Sequence, residues 1–359
     1  MERVAVVGGG LAGFVSYLTL LRGGIEPDEI AVFAPEADPA AAWRRRAAAI
    51  RQTHMRSESD GHCLPATWPG LAVREARRRR SLAPLARSVC DRYHATVPDF
   101  LEHVEELRAA SGWAPRPALV ERVTAVDGGF SLEGHGEFRH VLLATGHPGL
   151  AVPEELRGDA RAVHSYEPHE YRESVCVVGA GLAAATEWLN ALEAGSTVIS
   201  VRRREPVRRP LSVPRPYLTR RGLDAFHRSP PERRAAELGE LLVPSYPPGR
   251  SWDEPLARAG ARFRVEERVN GADQVICATG FLRGVEHDPL LRRLVEEHGL
   301  ETVDGRLVLA PDATVPALTD GTRTLAVAGV AAQMAYPAAD TLGGARYVAH
   351  RFARRCRTR

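Results

Sequence analysis

Two glycine-rich turns in this sequence have the spacing that binds the pyrophosphate of a dinucleotide. The first turn reads Gly8-x-Gly10-x-x-Gly13, and the second reads Gly179-x-Gly181-x-x-Ala184. In such a turn the first glycine permits a sharp bend, the second lets a pyrophosphate approach the backbone, and the third small residue lets a helix pack on a strand. The free N–H groups at the start of that helix then face the phosphates. We therefore expect a dinucleotide site at each turn.

Each turn lies between a short apolar run and a helical pattern, which is the context that this motif requires. Residues 4–7 and 175–178 have the length and the β-branched content of buried parallel strands. The residues that follow each turn place apolar side chains at helical spacing. Leu11, Ala12 and Leu182 begin these helices, and we expect them to bind cofactor together with the glycines.

The residues after the second strand of each unit predict which nucleotide it binds. Glu36 follows the apolar run 30–34 and is the candidate acid for the hydroxyl groups of an unphosphorylated ribose. Arg202 and Arg203 lie about twenty residues beyond Gly181, where a guanidinium group suits the additional phosphate of NADP. A solvated arginine run would look the same.

Composition sets limits on the class of protein. The chain has 359 residues, of which 44% are hydrophobic and 26% are charged, as in an ordinary globular protein. Its formal net charge of +3 is too small to indicate a nucleic-acid partner. No apolar run reaches the roughly 18 residues that would span a membrane. We expect a cytoplasmic protein without a nucleic-acid or membrane partner.

The cysteines exclude some redox chemistry. The sequence has five of them and no C-x-x-C pair, which argues against a redox-active disulfide and against a zinc site. We therefore expect no metal. Cys176 and Cys277 lie in apolar runs and are predicted core residues.

We expect an α/β fold with two Rossmann-like dinucleotide-binding domains, the second inserted into a discontinuous first. The predicted boundaries are 1–168 and 275–359 for the first domain and 169–274 for the second. A helical insertion at about 40–110 and a loop-rich excursion at 206–250 match no known motif.

The order of the remaining motifs completes a recognisable pattern. Two predicted strands end in Ala144-Thr145-Gly146 and Ala278-Thr279-Gly280, and the chain closes with a strand, a turn at Gly329 and a helix that includes Leu342. This order resembles the two-dinucleotide-binding-domain flavoproteins, and within them the class B flavoprotein monooxygenases, which include flavin-containing and N-hydroxylating enzymes. Trp43 stands where that class has Gly-Gly-x-Trp, although both glycines are replaced here.

The resemblance implies FAD on the first unit and NADPH on the second. The flavin would form a C4a-hydroperoxide with O2 and pass one oxygen atom to nitrogen or sulfur of a small-molecule substrate. Candidate cofactor-binding residues outside the glycine turns and strand-end charges are Trp43, Met55, Arg56, Thr145, Gly146, His164, Ser165, Thr279, Gly280, Gly329 and Leu342. Candidate catalytic residues are Asp340, Thr341, Gln333 and His54.

Several alternatives stay open at this point. Asp340 could instead cap the helix that follows it, and the segment around His54 could be structural. The chain could be an NADPH-dependent flavoprotein reductase without oxygen transfer, or a non-catalytic dinucleotide-binding redox sensor. Because the chain is short for this class, we also consider an open site for a carrier-bound substrate. A homo-oligomer is equally compatible with the sequence.

Overall fold

A computed structural model describes residues 3–56, 70–90 and 92–357, with the backbone alone at positions 250 and 251. Its α-helices are α1 (Leu11–Arg22), α2 (Ala41–Ala49), α3 (Leu71–Arg79), α4 (Ala83–Val89), α5 (Val97–Ser111), α6 (Leu182–Glu193), α7 (Arg220–Arg228), α8 (Pro231–Leu241), α9 (Arg250–Ala259), α10 (Pro289–His298) and α11 (Leu342–Arg357). Its strands are β1 (Val4–Val7), β2 (Ile30–Ala34), β3 (Arg116–Pro117), β4 (Val123–Val126), β5 (Gly129–Leu132), β6 (Gly136–Phe138), β7 (His140–Leu143), β8 (Ala162–His164), β9 (Ser174–Val178), β10 (Thr197–Val201), β11 (Val207–Arg208), β12 (Ser245–Tyr246), β13 (Phe263–Glu266), β14 (Gln274–Cys277), β15 (Thr302–Val303), β16 (Arg306–Leu307) and β17 (Thr324–Val327).

The first glycine turn belongs to a five-stranded parallel sheet of order β17-β7-β1-β2-β3. Strands β1, β2, β7 and β17 are buried along their whole length, which explains why they are apolar runs without alternation. The strands come from both ends of the chain, since β17 lies more than three hundred residues after β1. The sheet is therefore built from discontinuous sequence.

The second glycine turn belongs to another five-stranded parallel sheet, of order β13-β10-β9-β14-β8. This sheet corrects the predicted boundaries at 168/169 and 274/275. Strand β8 ends before residue 169, yet it pairs with β14, and β14 extends to Cys277. The boundaries were misplaced because β8 is a three-residue edge strand that carries little sequence signal. The assignment of one nucleotide to each unit stays a prediction.

Two segments are inserted between strands of the first sheet, one between β2 and β3 and the other between β3 and β7. As expected, the region 40–110 is helical where the structure describes it, with α2, α3, α4 and most of α5. Strands β4, β5 and β6 form the expected small antiparallel sheet.

The excursion at 206–250 is more regular than expected. It contains α7 and α8, so the expectation of a loop-rich segment is wrong there. Phe226, Ala235 and Leu238 form a buried apolar cluster with Met334, a residue that follows β17. The excursion thus lies in the sequence of the second unit but packs on the first.

The described residues contain neither a membrane-spanning helix nor a cluster of metal-ligating side chains. No described helix is long and apolar enough to cross a membrane. No group of three or more histidine, cysteine, aspartate or glutamate side chains in the described ranges could hold a metal ion.

Candidate cofactor and active site

The first glycine of each motif makes the same backbone turn. Gly8 has φ +109° and Gly179 has φ +134°, a region that side-chain-bearing residues rarely adopt. A Cβ at Gly8 would overlap the carbonyl oxygen of Ala144, and a Cβ at Gly179 would overlap that of Ala278. Each turn is therefore packed against the Ala-Thr-Gly strand end of its own sheet.

The second glycine of each motif leaves room for a ligand. Gly10 and Gly181 are the N-caps of α1 and α6, with φ of −69° and −85°, and neither helix start has a side-chain cap. A Cβ at either glycine would have no protein atom within 4 Å. The N–H groups at the starts of α1 and α6, at Leu11, Ala12 and Leu182, therefore face open space and fit an anionic pyrophosphate.

The third small residue of each motif holds its helix against the turn. A Cβ at Gly13 would overlap the carbonyl oxygen of Gly8, and Ala184 is fully buried. Gly329, with φ +74°, approaches the same helix start, since its Cβ would lie 3.7 Å from Ala12 Cβ. The turn after β17 therefore borders the predicted phosphate site of the first unit.

The strand-end charges of the two units differ in sign. Glu36, just beyond β2, forms a bidentate pair with Arg45 at 3.0 and 3.1 Å. Arg202, just beyond β10, pairs with Glu205 at 2.9 Å and lies 5.9 Å from the centre of the Trp188 ring. Arg203 is exposed. Arg203 is the more exposed of the two predicted arginines, and its guanidinium is therefore the more open to a ribose phosphate.

The two Ala-Thr-Gly strand ends lead into segments that cross between the sheets and pair with each other. Leu282 N donates to Gly149 O at 2.9 Å, and Ala151 N donates to Gly280 O at 3.0 Å. The Thr279 hydroxyl donates to Ala151 O. Thr279 and Gly280 therefore hold the crossover, whereas Thr145 and Gly146 lie half-buried at its first end, with Gly146 at φ +81°.

His164 and Ser165 follow the edge strand β8. His164 Nδ1 accepts from Tyr166 N at 3.1 Å, so its Nε2–H donates to Gly280 O at 3.0 Å. Burial lowers the pKa of His164. Ser165 is fully buried and its hydroxyl has no partner among the described residues. His164 therefore supports the crossover from the side of the second unit.

The turn before α11 separates the roles of Asp340 and Thr341. Thr341 Oγ1 accepts from Gly344 N at 3.0 Å, so Thr341 caps the helix that Leu342 begins. Asp340 is therefore not the cap, and its side chain is exposed. Burial by the surrounding protein raises the pKa of Asp340, although Arg283 and Arg56 oppose this rise.

Gln333 lines a cavity beside the first crossover segment. It is 3% exposed and its Nε2 has no partner among the described residues. The same cavity is lined by Gly146, Arg283 and Arg306. Burial and the charge of Arg283 lower the pKa of Arg306. Arg283 thus acts on both Arg306 and Asp340, and it connects this cavity with the turn before α11.

The segment after α2 holds residues with different surroundings. His54 is exposed and its Nδ1 lies 3.0 Å from Thr53 Oγ1, whereas Met55 is buried in the main core. Half-buried Trp43 packs edge-on against Phe100, with ring centres 4.9 Å apart. The loss of both family glycines before Trp43 is consistent with this packing role.

Arg56, a predicted cofactor-binding residue, contacts the excursion. Its guanidinium donates to the carbonyl oxygens of Arg209, Pro210, Leu211 and Ser245 in the excursion, at 2.7 to 3.3 Å. Burial, followed by the charge of Arg209, lowers its pKa to about 10. Arg56 therefore anchors the excursion, and its role toward a cofactor stays a prediction.

The motifs did not reveal His147, Phe281 or Arg283. His147 follows the first Ala-Thr-Gly and Phe281 follows the second, and their rings stack with centres 3.9 Å apart. Arg283 comes two residues after Phe281. The sequence did carry a signal for the stacked pair, because His147 and Phe281 are both planar side chains directly after equivalent Ala-Thr-Gly strand ends.

No protein-family model matches the chain, and no curated protein matches it. Solved structures do match it. An ornithine N-hydroxylase from Kutzneria sp. 744, in complex with reduced FAD, NADP+ and L-ornithine, is 16% identical with a TM-score of 0.73 and 99% coverage of both chains. A cadaverine monooxygenase from Erwinia amylovora bound to FAD is 12% identical, with a TM-score of 0.72 over 100% of this chain and 95% of that one. The chain has the fold of the N-hydroxylating flavoprotein monooxygenases.

This result confirms the fold class and the resemblance that the motifs predicted. A bacillithiol disulfide reductase from Bacillus cereus shares the architecture at a TM-score of 0.59 and 15% identity, over 99% of this chain and 98% of that one. The fold therefore serves both oxygen transfer and disulfide reduction. The choice between them depends on the residues of this chain.

Proposed function

We propose that this chain is a FAD-dependent, NADPH-using monooxygenase that transfers one oxygen atom from O2 to a nitrogen atom of a small amine. The observation that carries the proposal is the pair of uncapped helix starts at Gly10 and Gly181, each with room for a pyrophosphate. Two such sites suit an electron donor and an electron acceptor that are both dinucleotides. The likeness to an ornithine N-hydroxylase and a cadaverine monooxygenase supports nitrogen as the target.

The first unit would bind FAD through the turn at 8–13, and the second would bind NADPH through the turn at 179–184 and Arg203. Bound flavin supplies the activation of O2, which no side chain of the protein provides. The protein orients the two nucleotides at the crossover and keeps water from the reacting atoms. Gln333 lines the cavity beside the crossover, and the charge of Arg283, which lines the same cavity, acts on Asp340 in the turn before α11.

A disulfide reductase requires a reactive thiolate, and the described cysteines do not offer one near the glycine turns. Cys176 and Cys277 are fully buried in β9 and β14, and burial raises the pKa of these thiols to about 12 and about 11. Cys356 is buried in α11, whereas Cys90 is exposed at the end of α4. Cys63 lies outside the described residues. The described thiols favour oxygen transfer over disulfide reduction.

The test is an assay of NADPH oxidation under ¹⁸O2 with ornithine, lysine and cadaverine. We expect one of these or a related amine to stimulate NADPH oxidation and to yield a hydroxylamine with one labelled oxygen atom. NADPH oxidation at a rate that no amine changes, with hydrogen peroxide as the only product, would contradict hydroxylation of these amines and favour a reductase. Flavin that binds but is not reduced by NADPH would identify a redox sensor.

A further inference from the structure

The two residues that follow the Ala-Thr-Gly strand ends stack on each other. His147 follows Gly146 and Phe281 follows Gly280, and these glycines have similar φ values of +81° and +78°. The imidazole and phenyl rings are 3.9 Å apart between centres and only 14° from parallel. Because each strand end opens toward the nucleotide site of its own sheet, this stacked pair lies where the two bound nucleotides would meet.

The surroundings hold the imidazole in place. Tyr166 stacks on Phe281 with ring centres 5.1 Å apart and an angle of 13°, and the Arg46 guanidinium lies 4.6 Å from the centre of the Phe281 ring. The backbone pairing of the two crossover segments fixes the residues that carry these rings. A ring held this way loses little conformational entropy when it binds a ligand.

The environment of His147 determines which nitrogen carries a proton. Burial, with the charges of Arg46 and Arg283, lowers the pKa of His147 to about 4, so the ring is neutral at physiological pH. Its Nδ1 is sealed from solvent and has no partner among the described residues. An unpaired buried lone pair is less costly than an unpaired buried N–H, which assigns the proton to Nε2. The half-buried ring therefore presents an Nε2–H donor to the junction.

Resting on the proposed function, we propose that His147 Nε2–H donates a hydrogen bond to the carboxamide oxygen of the nicotinamide ring. His147 comes from the sequence of the first unit, but its ring packs on Phe281, which follows the strand end of the second unit. A donor at this place is suited to the nucleotide of the second unit. The carboxamide is the only carbonyl group that NADPH brings to its reactive ring.

The experiment compares two ligands on the FAD-loaded protein by calorimetry: NADP+, and adenosine 2′,5′-bisphosphate, which lacks nicotinamide. The His147→Phe variant keeps a stacked ring and removes the N–H. We expect this variant to bind NADP+ about 5- to 10-fold more weakly and to bind the bisphosphate unchanged, as the loss of one hydrogen bond requires. His147→Gln, which keeps a donor, should recover part of the NADP+ affinity. His350→Phe, at an exposed position on α11, is the matched control.

Three results would overturn the inference. NADP+ affinity could be unchanged in His147→Phe, both ligands could lose affinity equally, or the variant could lose FAD rather than NADP+. The last result would mean that the imidazole serves the flavin. A wild-type protein that binds FAD but neither ligand would contradict the NADPH site itself, and that failure is distinguishable because it precedes any variant.

Discussion

The Gly181→Ala variant should separate ligand binding from folding. The added methyl group has no protein atom within 4 Å, and the backbone at Gly181 has φ −85°, which alanine adopts without strain. Alanine is a poorer N-cap than glycine, but it also restricts the unfolded chain, and these effects are each below about 1 kcal/mol and opposite in sign. The melting temperature should therefore stay within about 2 °C of the wild type.

The same methyl group occupies the space that a pyrophosphate needs. If it displaces the ligand enough to break two charge-assisted hydrogen bonds to backbone N–H groups, the loss is about 3 kcal/mol. The dissociation constant for NADP+ should then rise about 100-fold. FAD affinity should not change, because Gly10 serves the other site. Calorimetry of the FAD-loaded protein with NADP+ measures the effect.

Gly179→Ala is the steric contrast to Gly181→Ala. Gly179 has φ +134°, and a Cβ there would overlap the Ala278 carbonyl oxygen, so this variant should lose about 3 kcal/mol of folding free energy. A Gly181→Ala protein that binds NADP+ like the wild type would refute the proposed pyrophosphate site. A Gly181→Ala protein that melts at as low a temperature as Gly179→Ala would refute the inference that the folded protein has room for a methyl group at Gly181.

Three further predictions test charge. Arg203→Gln should lower the preference for NADPH over NADH about tenfold while Arg204→Gln changes it little, and an unchanged ratio in steady-state kinetics would contradict the ribose-phosphate role. Burial alone would lower the pKa of His169, but the hydrogen bond and the charge of Glu187 outweigh burial, and the pKa is raised. The His169–Glu187 pair therefore stabilises the fold at low pH, and this stabilisation is lost as the pH rises. The melting-temperature deficit of Glu187→Gln should therefore be larger at pH 6 than at pH 9, and equal deficits would exclude this linkage. Burial raises the pKa of Asp340, so the charged carboxylate destabilises the fold above that pKa. The Asp340→Asn variant should melt at a higher temperature than the wild type at pH 7, and the difference in melting temperature should narrow toward pH 4.

The sequence was sufficient for the features that depend on local pattern. A strand, a glycine turn and a helix are contiguous, so the turns at 8–13 and 179–184 and the strands before them were predictable from spacing and burial. The parallel arrangement then followed from the strand–turn–helix order, because a helix returns the chain to the same edge of a sheet. All strand-end candidates therefore meet at the carboxyl edge of their sheet.

The sequence was insufficient for pairings between distant residues. Arg56 donates to carbonyl oxygens of residues that are 153 to 189 positions away in the sequence. A single arginine in an arginine-rich chain does not indicate such partners. Edge strand β8 has three residues, too few for a periodic pattern. In α7 and α8 the apolar pairs Leu223 with Phe226 and Ala235 with Leu238 do have helical spacing, but the surrounding prolines and arginines concealed it.

Side chains of the excursion bond to the backbone that leads to the turn before α11. Arg234 donates to the carbonyl oxygens of Leu309 and Met334, at 3.3 and 2.9 Å, and His227 Nε2 donates to Ala335 O at 2.7 Å. The bonds to Met334 and Ala335 hold the backbone directly after Gln333, on the approach to the turn that carries Asp340. Arg56 also holds both ends of the excursion, at residues 209–211 and 245. A segment inserted in the second unit therefore supports the wall of the cavity in the first. A change in the excursion is therefore expected to alter the backbone beside Gln333 through these buried cation–carbonyl bonds, whose loss would leave polar backbone groups without partners.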